Sequence, residues 1–95
     1  MNISNTSFYN KKIFIYGLAR TGLSTLNFLK NKNNQIVCWD DENKIRKKIK
    51  KKYLPKSLKE LKKASFDFIV ISPGIDKKKC KIKKFLNKNK NIIIT

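Results

Sequence analysis

Three short stretches of this chain carry residue types and spacings that could do chemistry: Gly17-Leu18-Ala19-Arg20-Thr21-Gly22, Asp40-Asp41 and Ser72-Pro73-Gly74. In the first, Gly17, Ala19 and Gly22 keep the spacing of the dinucleotide fingerprint GxGxxG, with alanine in the second place. A glycine there lets a pyrophosphate approach the backbone closely, so the alanine methyl weakens a dinucleotide reading and leaves anion binding intact. The anion site is the start of a helix, whose first N–H groups lack intrahelical partners and carry the positive end of the dipole. The bland alternative is a tight turn that only packs a helix on a strand. Asp40 and Asp41 follow the glycine turn by ~20 positions, where a nucleotide-binding unit places the acid that reads a ribose or base edge. Two solvated loop acids, or a helix cap, remain the alternative there. Ser72 offers a hydroxyl, Pro73 a fixed φ and Gly74 a close backbone approach, although the tripeptide would also serve as a plain turn.

Positioning these groups requires strands that end where each stretch begins. Ile13 to Tyr16 is a short apolar run of β-branched and aromatic residues, as expected of a strand buried on both faces of a parallel sheet. Leu23, Leu26 and Leu29 then recur at helical spacing, which starts a helix at Arg20 or Thr21. Gln35 to Trp39 reads as a second strand, ended by Asp40 and Asp41, and Phe66 to Ile71 as a third, ended by Ser72-Pro73-Gly74. Between them, Asn43 to Tyr53 places Ile45, Ile49 and Tyr53 on one stripe of a lysine-covered helix, and Pro55 interrupts it. Ser57 and Glu60 fit a capping box for a short helix carrying Leu58 and Leu61. Ile82, Phe85 and Leu86 share one face of a third helical stretch after Lys77 to Lys79, and Asn91 to Thr95 supplies a fourth strand. This alternation predicts a single α/β domain, a Rossmann-like parallel sheet of four or slightly more strands with helices on both faces. The expected core comprises Ile13, Ile15, Leu23, Leu26, Val37, Ile69, Val70, Ile71, Phe85 and Ile93. Residues 1–10 form a polar lead-in with Phe8 and Tyr9, one of which is expected to pack against the sheet edge, and residues 11–95 form the domain.

Composition narrows the partners. Lys and Arg number 24 against 6 Asp and Glu, a net charge of +18. Such a balance ordinarily points to nucleic acid or an anionic membrane. Here Arg20 and Arg46 are the two arginines, and lysine is joined by abundant asparagine and isoleucine throughout, the joint excess that an AT-rich genome produces. A dedicated phosphate or base reader would favour arginine for its bidentate contacts, so nucleic acid is disfavoured as a partner. The chain has no histidine, and Cys38 and Cys80 form no CxxC pair, which removes a zinc site and a Cys/His nucleophile. No segment approaches the ~20 apolar residues of a membrane span, and the N-terminus lacks a signal-peptide core, so a cytoplasmic location is expected.

Taken together, GLARTGLS after the first strand, DD after the second, SPGI after the third and NIIIT as the fourth resemble the N-terminal domain of the Mur ligases over residues 11–95. SPGI points to the D-glutamate-adding branch of that family. The resemblance implies a domain that binds the UDP end of UDP-N-acetylmuramoyl-L-alanine. Leu18, Ala19, Arg20, Thr21 and Gly22 would hold the diphosphate, Asp40 and Asp41 would reach the uracil, and Ser72, Pro73 and Gly74 would wall the same pocket. Asp41 departs from the threonine or small polar residue usual at that place. The family's central domain, with its GKT/S loop for ATP, magnesium-binding carboxylates and modified lysine, has no counterpart in these residues, nor has its C-terminal domain. The resemblance therefore implies a fragment or separated first domain of a ligase: no catalytic residue and no metal ligand in this chain, ATP and Mg only in the full-length enzyme, and a monomer.

Two other classes compete. In an NAD-binding module the Asp40 carboxylate would bind the adenosine ribose, although Ala19 and the SPGI turn weigh against it. A basic interaction module for nucleic acid would lose affinity steeply with salt and ignore UDP.

Overall fold

The computed structural model describes residues 9–76, 78 and 80–94. Four strands, β1 (Lys12–Tyr16), β2 (Gln35–Trp39), β3 (Phe68–Ile71) and β4 (Ile93–Ile94), form one sheet in the order β2-β1-β3-β4. Every neighbouring pair is parallel, and Tyr16 lies in register with Trp39 on one side and Ile71 on the other. Four helices connect or follow the strands: α1 (Arg20–Leu29), α2 (Asn43–Arg46), α3 (Leu58–Lys63) and α4 (Lys83–Lys88). This is the Rossmann-like α/β arrangement that the alternation of apolar runs and helical spacings predicts.

Period-two alternation sorts the strand side chains onto two faces. Ile13, Ile15, Ile36, Cys38 and Val70 pack with Leu26 and Leu29 of α1 and with Ile45, Ile49, Tyr53 and Leu54. Phe14, Tyr16, Ile69 and Ile71 pack on the opposite face with Leu61 of α3, Ile82, and Phe85 and Leu86 of α4. The second face is rich in rings: Phe14 stacks on Phe66 at 5.4 Å and meets Phe85 edge-on at 6.0 Å. Burial of Cys38 pushes its thiol up to about 12, so it behaves as a small apolar residue.

Local signals account for most element ends. Ser57 Oγ accepts from the Glu60 N–H at 3.1 Å, the first half of the expected capping box. Two expectations need correction. Leu23, expected in the core, is 37% exposed, while Val37 and Ile93 are half-buried. The inward residues of α1 are Gly22, Thr25, Leu26 and Leu29, a stripe that leaves Leu23 to one side. The helix expected over 43–53 stops after Arg46 and resumes as a 3-10 turn at Lys51–Tyr53. Like charges at Lys47, Lys48, Lys50, Lys51 and Lys52 oppose a continuous helix, yet Ile45, Ile49 and Tyr53 still reach the core. In the lead-in, Tyr9 is exposed with Lys32 Nζ 5.1 Å above its ring; Phe8 and Thr95 lie outside the described residues.

Candidate functional site

The three stretches singled out from sequence meet at the carboxyl ends of the strands. β1 connects to β2 on one side and β3 lies on its other side, so the strand order reverses between β1 and β3. In open parallel sheets ligands sit in the crevice at such a switch point. A cavity of about 70 Å³ opens there, lined by Ile15, by Thr21, Gly22 and Thr25 of α1, and by Val70, Ile71, Ser72 and Pro73 at the end of β3.

The turn before α1 is shaped by its glycines. Gly17 has φ +94°, and a Cβ on it would lie 2.7 Å from the Ser72 Cβ. A Cβ on Gly22 would lie 1.8 Å from the Gly17 carbonyl oxygen. The start of α1 is therefore drawn onto the turn more closely than any side chain would allow. Ala19 at the N-cap is extended (φ −68°, ψ −167°), a conformation open to any residue, which is why alanine stands here without strain. It offers no side-chain cap, and the first intrahelical donor is the Leu23 N–H, bonded to the Ala19 carbonyl at 3.0 Å. The Arg20, Thr21 and Gly22 N–H groups precede it in the helix and have no acceptor one turn back. They face the positive end of a ten-residue helix dipole with no acidic residue in its first turn. Thr25 is buried and its hydroxyl donates to the Thr21 carbonyl at 3.0 Å.

Leu18, assigned to the diphosphate through its backbone, is differently engaged: its N–H donates to Asp40 Oδ2 at 2.9 Å and its side chain is buried. Asp40 is only 6% exposed, and its Oδ1 accepts from the Glu42 N–H at 2.9 Å. One carboxylate thus ties the glycine turn to the loop after β2. Asp41 Oδ2 accepts from the Tyr16 hydroxyl at 2.6 Å and from the Lys81 N–H at 3.3 Å, and its Oδ1 accepts from Trp39 Nε1 at 3.2 Å. Burial, with the Asp41 carboxylate beside it, raises the Tyr16 hydroxyl well above the ordinary tyrosine range, so it stays a proton donor. Ser72 and Pro73 line the cavity; Gly74 lies outside it, exposed, with nothing within 4 Å of where a Cβ would be.

Residues without an assigned role in the sequence complete the site. Arg46 lays its guanidinium 4.3 Å from the centre of the Trp39 ring and donates to the Asp40 carbonyl at 2.5 Å. Its rarity, as one of two arginines, was a usable signal. Tyr16 was visible only as a strand residue, because the register that sets it beside Trp39 is a property of the sheet. Among the described residues no group of three or more His, Cys, Asp or Glu could hold a metal ion, and no helix is long and apolar enough to cross a membrane.

What the crevice offers is a set of unpaired helix N–H groups, the Thr21, Thr25 and Ser72 hydroxyls and a narrow apolar floor, suited to an anionic group attached to a larger ligand. Comparison with known proteins gives this geometry a family. The family described as Mur ligase MurD-like, N-terminal domain, matches residues 11–94. The UDP-N-acetylmuramoylalanine--D-glutamate ligase of Buchnera aphidicola subsp. Schizaphis graminum (strain Sg) is 41% identical over 73 residues. The match covers 73% of this chain and 17% of that relative, so the chain spans about a sixth of the relative's length in the match. No solved structure matches. A parallel α/β sheet with this strand-end crevice, matched nearly end to end by that family, makes the chain a member of the Mur ligases, in the form of a MurD-like N-terminal domain.

Proposed function

We propose that this chain is the substrate-binding module of a D-glutamate-adding Mur ligase and takes the UDP end of UDP-N-acetylmuramoyl-L-alanine in the crevice between β1 and β3. The observation that carries the reading is the uncapped start of α1, where Thr21 and Gly22, directly after Arg20, line a cavity at the switch point of the sheet. Ala19 adds an exposed methyl beside those donors, and the Thr21 and Ser72 hydroxyls supply further hydrogen bonds to phosphate oxygens. The module works in the cytoplasm as a monomer and binds no cofactor of its own. ATP and magnesium belong to the parts of a full-length ligase that activate the carboxylate. No residue here fits them, since the chain carries no glycine-rich loop followed by lysine, and it is expected to release no phosphate from ATP.

A titration of the purified chain tests this. At ~0.15 M salt, where long-range attraction to a basic protein is screened, UDP and a UDP-sugar should shift the same amide signals of Arg20, Thr21 and Ser72 and saturate. A flat response to UDP alongside saturable NADH binding would overturn the assignment in favour of a dinucleotide module. Because the diphosphate is held mainly by backbone donors, Thr21→Ala should weaken UDP by the worth of one hydrogen bond, ~0.5–1.5 kcal/mol, with an unchanged melting temperature. A larger loss would place the Thr21 side chain, rather than the helix start, at the centre of recognition.

A further inference from the structure

Asp41 collects donors from three different elements. Tyr16 at the end of β1 gives its hydroxyl, Trp39 at the end of β2 gives its indole N–H, and the segment before α4 gives the Lys81 N–H. That last segment is the continuation of the loop that begins with Ser72. The loop is seated at its start by the Ser72 N–H on the Tyr16 carbonyl at 2.9 Å. Midway, the Ile75 side chain packs against Gly17, its Cγ1 3.0 Å from where a Cβ would stand. Ile75 and Cys80 join Trp39 in lining the ring-rich side of the core. At its far end Asp41 holds it to β1 and β2 through the Lys81 N–H, next to Cys80, whose thiol adjoins the Tyr16 hydroxyl.

We propose that Asp41 is a positioning residue that docks the loop after β3 onto the ends of β1 and β2, and thereby fixes the Ser72-Pro73 wall of the crevice, instead of reading the ligand's base. Its Oδ2 already accepts two hydrogen bonds and its Oδ1 accepts the indole, and all three donors belong to the protein. The Tyr16 side chain is buried, and beside Asp41 its hydroxyl meets the Cys80 thiol, a much weaker acceptor than a carboxylate. Removing the carboxylate therefore takes the strong acceptor from the buried Tyr16 hydroxyl and the tie from the Lys81 N–H together. The proposal rests on the nucleotide reading of the crevice for its effect on binding, while the docking itself is a property of the ligand-free protein.

The test has two readouts on the full chain, with Asp41→Ala, Asp41→Asn and Tyr16→Phe compared with the parent. Without ligand, amide exchange at Lys81 and Ile75 should quicken at least about tenfold in Asp41→Ala while Val70 and Leu26 keep their rates. Tyr16→Phe, which retains the ring, should show the same pattern more weakly. With ligand, Asp41→Ala should weaken UDP and inorganic pyrophosphate by the same factor, about tenfold, and Asp41→Asn, which keeps one acceptor oxygen, should recover part of it. A loss confined to UDP would make Asp41 a base reader and overturn the proposal, as would unchanged exchange at Lys81. If the parent bound neither UDP nor pyrophosphate, the nucleotide reading would fail, and the exchange rates would still decide whether Asp41 docks the loop.

Discussion

Gly22→Val is expected to cost at least ~3 kcal/mol of folding stability, near the upper end for overpacking, because the added carbon would overlap a backbone oxygen that has nowhere to go. The Gly17 carbonyl lies 1.8 Å from the position of the first side-chain carbon, and Gly17 itself is held by φ +94° and by its N–H on the Trp39 carbonyl at 2.8 Å. Relief requires lifting the start of α1 off the sheet, which empties the space under Thr25 and Leu26 and displaces the free N–H groups from the crevice. For a domain of this size the loss corresponds to a fall of ~12–24 °C in melting temperature, and UDP binding should disappear with it. Gly74→Ala is the matched control: with nothing within 4 Å of the new methyl, it should melt like the parent. A Gly22→Val chain that melted and bound UDP normally would mean that the turn is not built as described.

The second large effect is expected at Asp40. Replacement by alanine leaves the Leu18 and Glu42 N–H groups without their carboxylate, and Leu18 is buried, so water cannot fully replace it. Stranding buried donors costs ~1–3 kcal/mol each, and these two bonds end on a charged acceptor, so a total of ~2–4 kcal/mol is expected in thermal or denaturant unfolding. Asp40→Asn keeps one acceptor and turns an amide N–H toward the other donor, so its loss should fall between parent and alanine. The alanine variant should also bind UDP more weakly, since the glycine turn loses its tie to the loop after β2. Unchanged stability in Asp40→Ala would show the carboxylate to be solvated, as a plain loop acid would be.

The general plan was legible in the sequence because a doubly covered parallel sheet writes itself as apolar runs that alternate with helical spacings. Gly17 and Gly22 announced the close approach of helix to strand, and Ser57 its helix start. Leu23 misled for a reason visible only in three dimensions. Leu23, Leu26 and Leu29 share a helical stripe, but the contact of Gly22 with the Gly17 carbonyl fixes the rotation of α1 and, at 100° per residue, swings Leu23 out to the margin. Spacing likewise located Asp40 and Asp41 at the site without revealing what each touches. The partners, Leu18, Tyr16, Trp39 and Lys81, are brought to them by strand register and loop path, which no local pattern encodes.

Trp39 is the single tryptophan of the chain, with the Arg46 guanidinium 4.3 Å from its ring centre and its indole N–H on the Asp41 carboxylate at the end of β2. Its emission is therefore a built-in optical reporter of this corner of the fold. Excitation selective for tryptophan reads one environment, with no label and no background from a second indole. A change in the Asp41 contact alters the polarity and hydrogen bonding felt by the excited ring, while distant surface lysines leave it dark to their own changes. The same chain can thus be followed by fluorescence at concentrations far below those needed for amide signals.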